Sequence, residues 1–87
     1  MAGEFNAYYA GSVEPPNVYD AVTVSTPFTH GGRTYIARVI VASADGTIDV
    51  MREDGTIFTG KQVVKGINVF RCIQVTNLGG LTLEWQA

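Results

Sequence analysis

The sequence predicts an all-β fold: a small antiparallel β-sandwich or barrel of about six strands, entered by an extended N-terminal arm. Three observations carry that prediction. Short runs of β-branched and aromatic residues follow one another closely, with glycine-bearing turn signals between them. No stretch sustains a 3.6-residue apolar period. Two Asp-Gly pairs, Asp45-Gly46 and Asp54-Gly55, fall between such runs, and Asp-Gly signals a hairpin because a tight type I′ turn needs residues that tolerate positive φ. The runs around them, Thr34 to Ala42, Thr47 to Arg52 and Thr56 to Thr59, read as a three-stranded meander with two tight turns.

Residues 1–20, MAGEFNAYYAGSVEPPNVYD, form the arm, and residues 21–87 form the single β domain. The arm holds Phe5, Tyr8, Tyr9 and Tyr19 with Pro15-Pro16 among them. The proline pair forbids a helix through that point and favours an extended course. A disordered tail is poor in aromatics, so this segment reads as one that packs on a partner or covers its own domain. These four aromatics are the first candidate interface residues.

Residues 21–26, AVTVST, alternate Val22 and Val24 with polar neighbours, the pattern of a half-buried strand ended by Pro27. Phe28 to Gly32 reads as a loop, with Gly31-Gly32 turning into the next strand. In Thr34 to Ala42, strict alternation puts Tyr35, Ala37, Val39 and Val41 on one side and Ile36, Arg38, Ile40 and Ala42 on the other. Both sides are apolar, so this strand is expected to be central or covered by a neighbouring subunit. Ile36, Arg38 and Ile40 complete the candidate interface. Arg38 needs an interfacial carboxylate or a route to solvent, since a buried unpaired charge is costly.

Further along, Ile48 and Val50 face inward and Gly60-Lys61-Gln62 reads as a loop. Ile67 to Val75, INVFRCIQV, reads as one strand, with Cys72 in mid-strand as a small buried hydrophobe. The last strand, Leu81 to Gln86, alternates Leu81, Leu83 and Trp85 against Thr82, Glu84 and Gln86. Its inward set closes the core, so the C-terminus must be held.

Composition bounds the function. Eighty-seven residues make one domain. Of these, 46% are apolar and only 16% charged, which is little charge for a small dispersed monomer, and a small domain cannot hide that much apolar surface alone. Assembly resolves the mismatch. With a net charge of −2 and six scattered cations, the chain lacks the basic footprint of a nucleic-acid binder. One cysteine excludes an intramolecular disulfide and a cysteine metal cluster. No apolar run reaches the length of a membrane helix, and the N-terminus lacks the pattern of a signal peptide. Production in a reducing cytoplasm is expected.

The residues offer no catalytic, cofactor or metal set. Asp45 and Asp54 are accounted for by their turns, and phosphate-loop, zinc-protease and serine-elbow motifs are absent from the sequence. Cys72 and His30 are the remaining nucleophile and base, with nothing in the sequence to bring them together. Tyr8, Tyr9 and Trp85 would suit a sugar platform, but aromatics at this density serve cores and interfaces.

The order AVTVST, YIARVIV, DGTIDV, DGTIF and KGINVFRCIQV resembles the small head-spike base and capsid-decoration proteins of tailed bacteriophages and gene transfer agents. The match spans residues 21–86 and leaves out the aromatic arm. It implies a non-enzymatic virion protein that forms a symmetric homo-oligomer on the capsid. Its partners would be itself and the major capsid protein or another virion protein, with no nucleic acid, membrane or cofactor. It would reside in the virion after assembly in the host cytoplasm. A small carbohydrate- or peptide-binding β module is the alternative.

Overall fold

The computed structural model describes residues 19–87. These form nine short strands: β1 (Asp20–Ala21), β2 (Phe28–His30), β3 (Arg33–Tyr35), β4 (Ala37–Ala42), β5 (Gly46–Met51), β6 (Ile57–Val63), β7 (Gly66–Cys72), β8 (Gln74–Asn77) and β9 (Leu83–Gln86). A four-stranded sheet has the order β1-β9-β4-β7, a three-stranded sheet the order β6-β5-β8, and β2-β3 is a separate hairpin. Every pairing is antiparallel. The all-β antiparallel expectation is met. The strand number exceeds six because several predicted runs bend and change sheet.

The core lies between the inward faces of the two larger sheets. Ile40, Ala42, Cys72, Leu83 and Trp85 come from one, Ile48, Val50, Val63 and Val75 from the other. Trp85 is 2% exposed. It sits in β9, which is flanked by β1 and β4, so the end of the chain is held in the middle of a sheet. The Phe28 ring lies 5.3 Å and the Tyr35 ring 5.9 Å from the Trp85 ring, tilted in both cases. The β2-β3 hairpin is thereby fastened to the sheet, at about 0.5–1.5 kcal/mol per pair beyond area burial.

Several sequence expectations are corrected. The β4 and β5 strands do not pair, so the meander is not formed. The link Ser43 to Asp45 instead carries the chain from one sheet to the other. Gly46 is the first residue of β5 and lies against the Leu81 side chain, while Asp45 Oδ1 accepts the Lys65 N–H at 2.8 Å and steadies the β6–β7 turn. The second Asp-Gly does close a hairpin, β5-β6, but with three residues. Arg52 N–H donates to the Thr56 carbonyl and Gly55 N–H to the Arg52 carbonyl. Gly55 has φ +89°, as a type I turn followed by a left-handed residue requires. Asp54 Oδ1 accepts both the Thr56 hydroxyl at 2.7 Å and its N–H at 2.9 Å. The hydroxyl first, and the N–H after it, hold the Asp54 carboxyl below its ordinary value.

AVTVST is not a strand. Only Asp20–Ala21 pairs with β9. Val22 is buried and Val24 exposed, and Ser25, at φ +53°, donates its N–H to the Val75 carbonyl. This segment therefore crosses from the edge of one sheet to the edge of the other. Phe28 to His30, expected in a loop, is a strand. Thr34 to Ala42 breaks at Ile36, and the β4/β7 register shifts between Ala37 and Val39. Ala37, Ile40 and Ala42 therefore all face the core, and strict alternation fails. Ile67 to Val75 also divides. It bends at Ile73, leaving β7 in one sheet and β8 in the other.

Candidate functional site

Two surface features stand out among the described residues. The first is the outer face of the four-stranded sheet. Val39 lies across from Val69, and Val41 from Ile67. All four are β-branched and point away from the core. Val69 is 80% and Ile67 62% exposed, with Val39 and Val41 half-buried beside them. The pattern arises because β7 alternates, Ile67 and Val69 facing outward and Asn68 and Phe70 inward. Asn68 turns inward and spends its side chain on backbone. Its Nδ2 reaches the Val64, Gly66 and Ile40 carbonyls at 2.9, 3.1 and 3.2 Å, and its Oδ1 accepts the Val64 N–H at 2.9 Å. That leaves the valine and isoleucine row to solvent.

The second feature is a cleft of about 430 Å³ where β6 and β7, edge strands of different sheets, face one another. Val50 lies at its floor, with Phe58 and Phe70 in its walls. Arg52, Lys61 and Arg71 ring it together with Glu53 and Asp54. Lys61 Nζ stands 4.8 Å from the Phe70 ring centre and 6.0 Å from that of Phe58, and the Arg52 guanidinium stands 4.8 Å over Phe58. Arg71 Nε donates to Glu53 Oε2.

A bulge builds this cleft. Val50 pairs with Phe58 but Ile48 with Lys61, so Thr59-Gly60 supply one extra residue opposite Asp49. Asp49 Oδ1 accepts the Gly60 N–H at 2.9 Å and fixes the bulge. Phe58 and Lys61, three apart, would lie on opposite faces of a regular strand. Here both fall on the inner face, where they meet Phe70. Sequence reasoning misses this site because it reads Gly60 as part of a loop. A lone glycine within a strand pattern is the available signal.

The predicted interface residues do not form one surface. Phe5, Tyr8 and Tyr9 lie outside the described residues. Tyr19 is exposed just before β1. Ile36 and Arg38 line a shallow depression with Thr34 and Ala87. Arg38 is solvent-exposed, so its charge is not buried. Ile40 is a correction: it is 0% exposed and pairs with Trp85 in the core, so no partner reaches it.

Cys72 is fully enclosed, as expected for a small hydrophobe, and burial pushes its thiol up to about 12. His30 stands on the surface with Nδ1 3.2 Å from Asp20 Oδ2. The structure does not pair the two. Among the described residues, no group of three His, Cys, Asp or Glu is placed to hold a metal ion.

No known protein family, curated protein or solved structure matches the chain.

Proposed function

We propose that this chain is a non-enzymatic structural protein of a bacteriophage virion, a capsid-decoration or vertex-spike base protein working as a symmetric homo-oligomer. The outer face of the four-stranded sheet carries the assembly part. Val69 and Ile67 present branched apolar side chains to water beside Val39 and Val41, a contiguous patch of the kind that marks contact sites. The low charge of the whole chain supports the same reading. The virion part rests on the resemblance of residues 21–86 to head-spike base and decoration proteins.

Light scattering over a dilution series tests it. The wild-type chain is expected to be oligomeric. Val69→Lys is expected to be a monomer with an unchanged circular dichroism spectrum, because an outward residue that exposed has no core contact to lose. Binding to bare capsids should be lost in the same variant. A wild-type monomer at tens of micromolar, with no capsid binding, would overturn the proposal.

The cleft favours a second reading, a small peptide- or carbohydrate-binding module. Its two phenyl walls and its cations are features of a recognition groove. A monomeric chain that binds peptides or glycans would select it.

A further inference from the structure

We infer that the cleft between β6 and β7 seats the chain's own N-terminal segment, residues 1–18. The inference goes beyond the assembly reading and does not depend on it.

The chemistry of the cleft defines its occupant. Of the two carboxylates at its rim, Glu53 is engaged by Arg71 and Asp54 is turned back onto Thr56. Arg52 and Lys61 are instead laid over phenyl rings. A cation over a ring keeps most of its charge available to an anion. The floor and walls are apolar, and Phe58 is still 38% exposed. The matching occupant brings aromatic side chains and carboxylates together and carries no cation of its own.

Residues 1–18 have that composition. They contain Glu4 and Glu14, no lysine and no arginine, and the aromatics Phe5, Tyr8 and Tyr9. Glu4 and Phe5 are adjacent, so one short stretch offers a carboxylate and a phenyl ring. By contrast, all six Lys and Arg of the chain lie between Arg33 and Arg71. The split in charge is along the sequence, and the cleft collects half of those cations: Arg52, Lys61 and Arg71.

Reach is sufficient. The segment ends next to Tyr19, which leads into β1 at one edge of the four-stranded sheet, and β7 is the other edge. Three strand spacings are about 14 Å, whereas eighteen extended residues span up to about 60 Å. The cleft of the same chain is therefore within range.

Zero-length carbodiimide coupling of the full chain, read by mass spectrometry, tests it. Lys61 is expected to link to Glu4 or Glu14 several-fold more often than Lys65 does, the other lysine of the chain. Links from Lys61 only to Glu53, or equal linking by both lysines, would overturn it. In a second measurement, Glu4→Gln with Glu14→Gln is expected to shift the amide resonances of Phe58, Lys61 and Phe70 and leave those of Val22 and Leu83 in place. Both substitutions precede β1 in the sequence, and circular dichroism of the same samples checks that the fold is kept. Unmoved cleft resonances, with saturable binding of an added acidic aromatic peptide, would assign the cleft to a separate partner and overturn the inference. Light scattering on the same samples reads assembly independently, so a monomer with the Lys61 link intact keeps this inference and removes only the oligomer.

Discussion

Lys61 on β6 holds its ammonium 4.8 Å from the ring centre of Phe70 on β7, and the two strands belong to different sheets. The contact therefore bridges the open side of the sandwich. Phe70 is half-buried and packs on the core, so its ring serves both the interior and the cleft. A double-mutant cycle with Lys61→Met and Phe70→Leu should give a coupling of about 0.5–1 kcal/mol from denaturant midpoints. Additive effects of the two substitutions would show that the contact contributes nothing to closing that side.

Gly79 is predicted to be the least replaceable glycine of the domain. A Cβ there would stand 2.0 Å from the Thr47 carbonyl oxygen, and its φ is +61°. Gly79→Ala therefore forces the 77–80 turn away from β5 as well as straining the backbone, at about 2–4 kcal/mol. Gly80, at φ +77°, has open space within 4 Å of where an alanine methyl would stand. Gly80→Ala should cost only the left-handed backbone term, about 1 kcal/mol. Equal melting of the two variants would contradict the close approach.

Ile40 and Arg38 are two residues apart and should behave oppositely. Ile40 is fully enclosed opposite Trp85, so Ile40→Ala removes core volume at about 2–4 kcal/mol. Arg38 is exposed, and Arg38→Glu should change stability by less than about 0.5 kcal/mol. Urea midpoints of both variants decide the matter. A large loss for Arg38→Glu would indicate a structural partner for its guanidinium.

What the sequence made legible was composition and local turn chemistry. The inward placement of Ile48, Val50, Leu83 and Trp85 follows from period-two alternation. The break after Asp54-Gly55 follows from a glycine that can take positive φ. What stayed hidden depends on departures from alternation. The shift between Ala37 and Val39 puts Ile40 in the core instead of on an interface. The bend at Ile73 moves one predicted strand between two sheets. The Thr59-Gly60 bulge creates the Phe58–Lys61–Phe70 cleft. Each departure is one residue long, and one residue reverses every side chain beyond it. Asp45 shows the same limit for turns: its carboxylate serves a backbone N–H twenty positions away, which no local pattern reports.

Cys72 supplies a prediction in pH. Burial holds its thiol neutral and raises it from an ordinary 9.0 to about 12. Between those values the folded chain keeps the proton and the unfolded chain releases it. The stabilisation is thus fully present below about pH 9 and is lost as pH rises toward 12, at about 1.4 kcal/mol per pH unit. The clean observable is the difference between wild type and Cys72→Ala. At neutral pH the wild type should be the more stable by about 1 kcal/mol, from the small cavity the substitution leaves. That advantage should shrink above pH 9 and reverse near pH 10, because alanine has no proton to lose. A thiol reagent at pH 8 should label Cys72 only as fast as the domain opens, since the enclosed neutral thiol is neither accessible nor nucleophilic. Parallel stability curves for the two proteins, or prompt labelling of the native chain, would show that Cys72 is less enclosed than the fold places it.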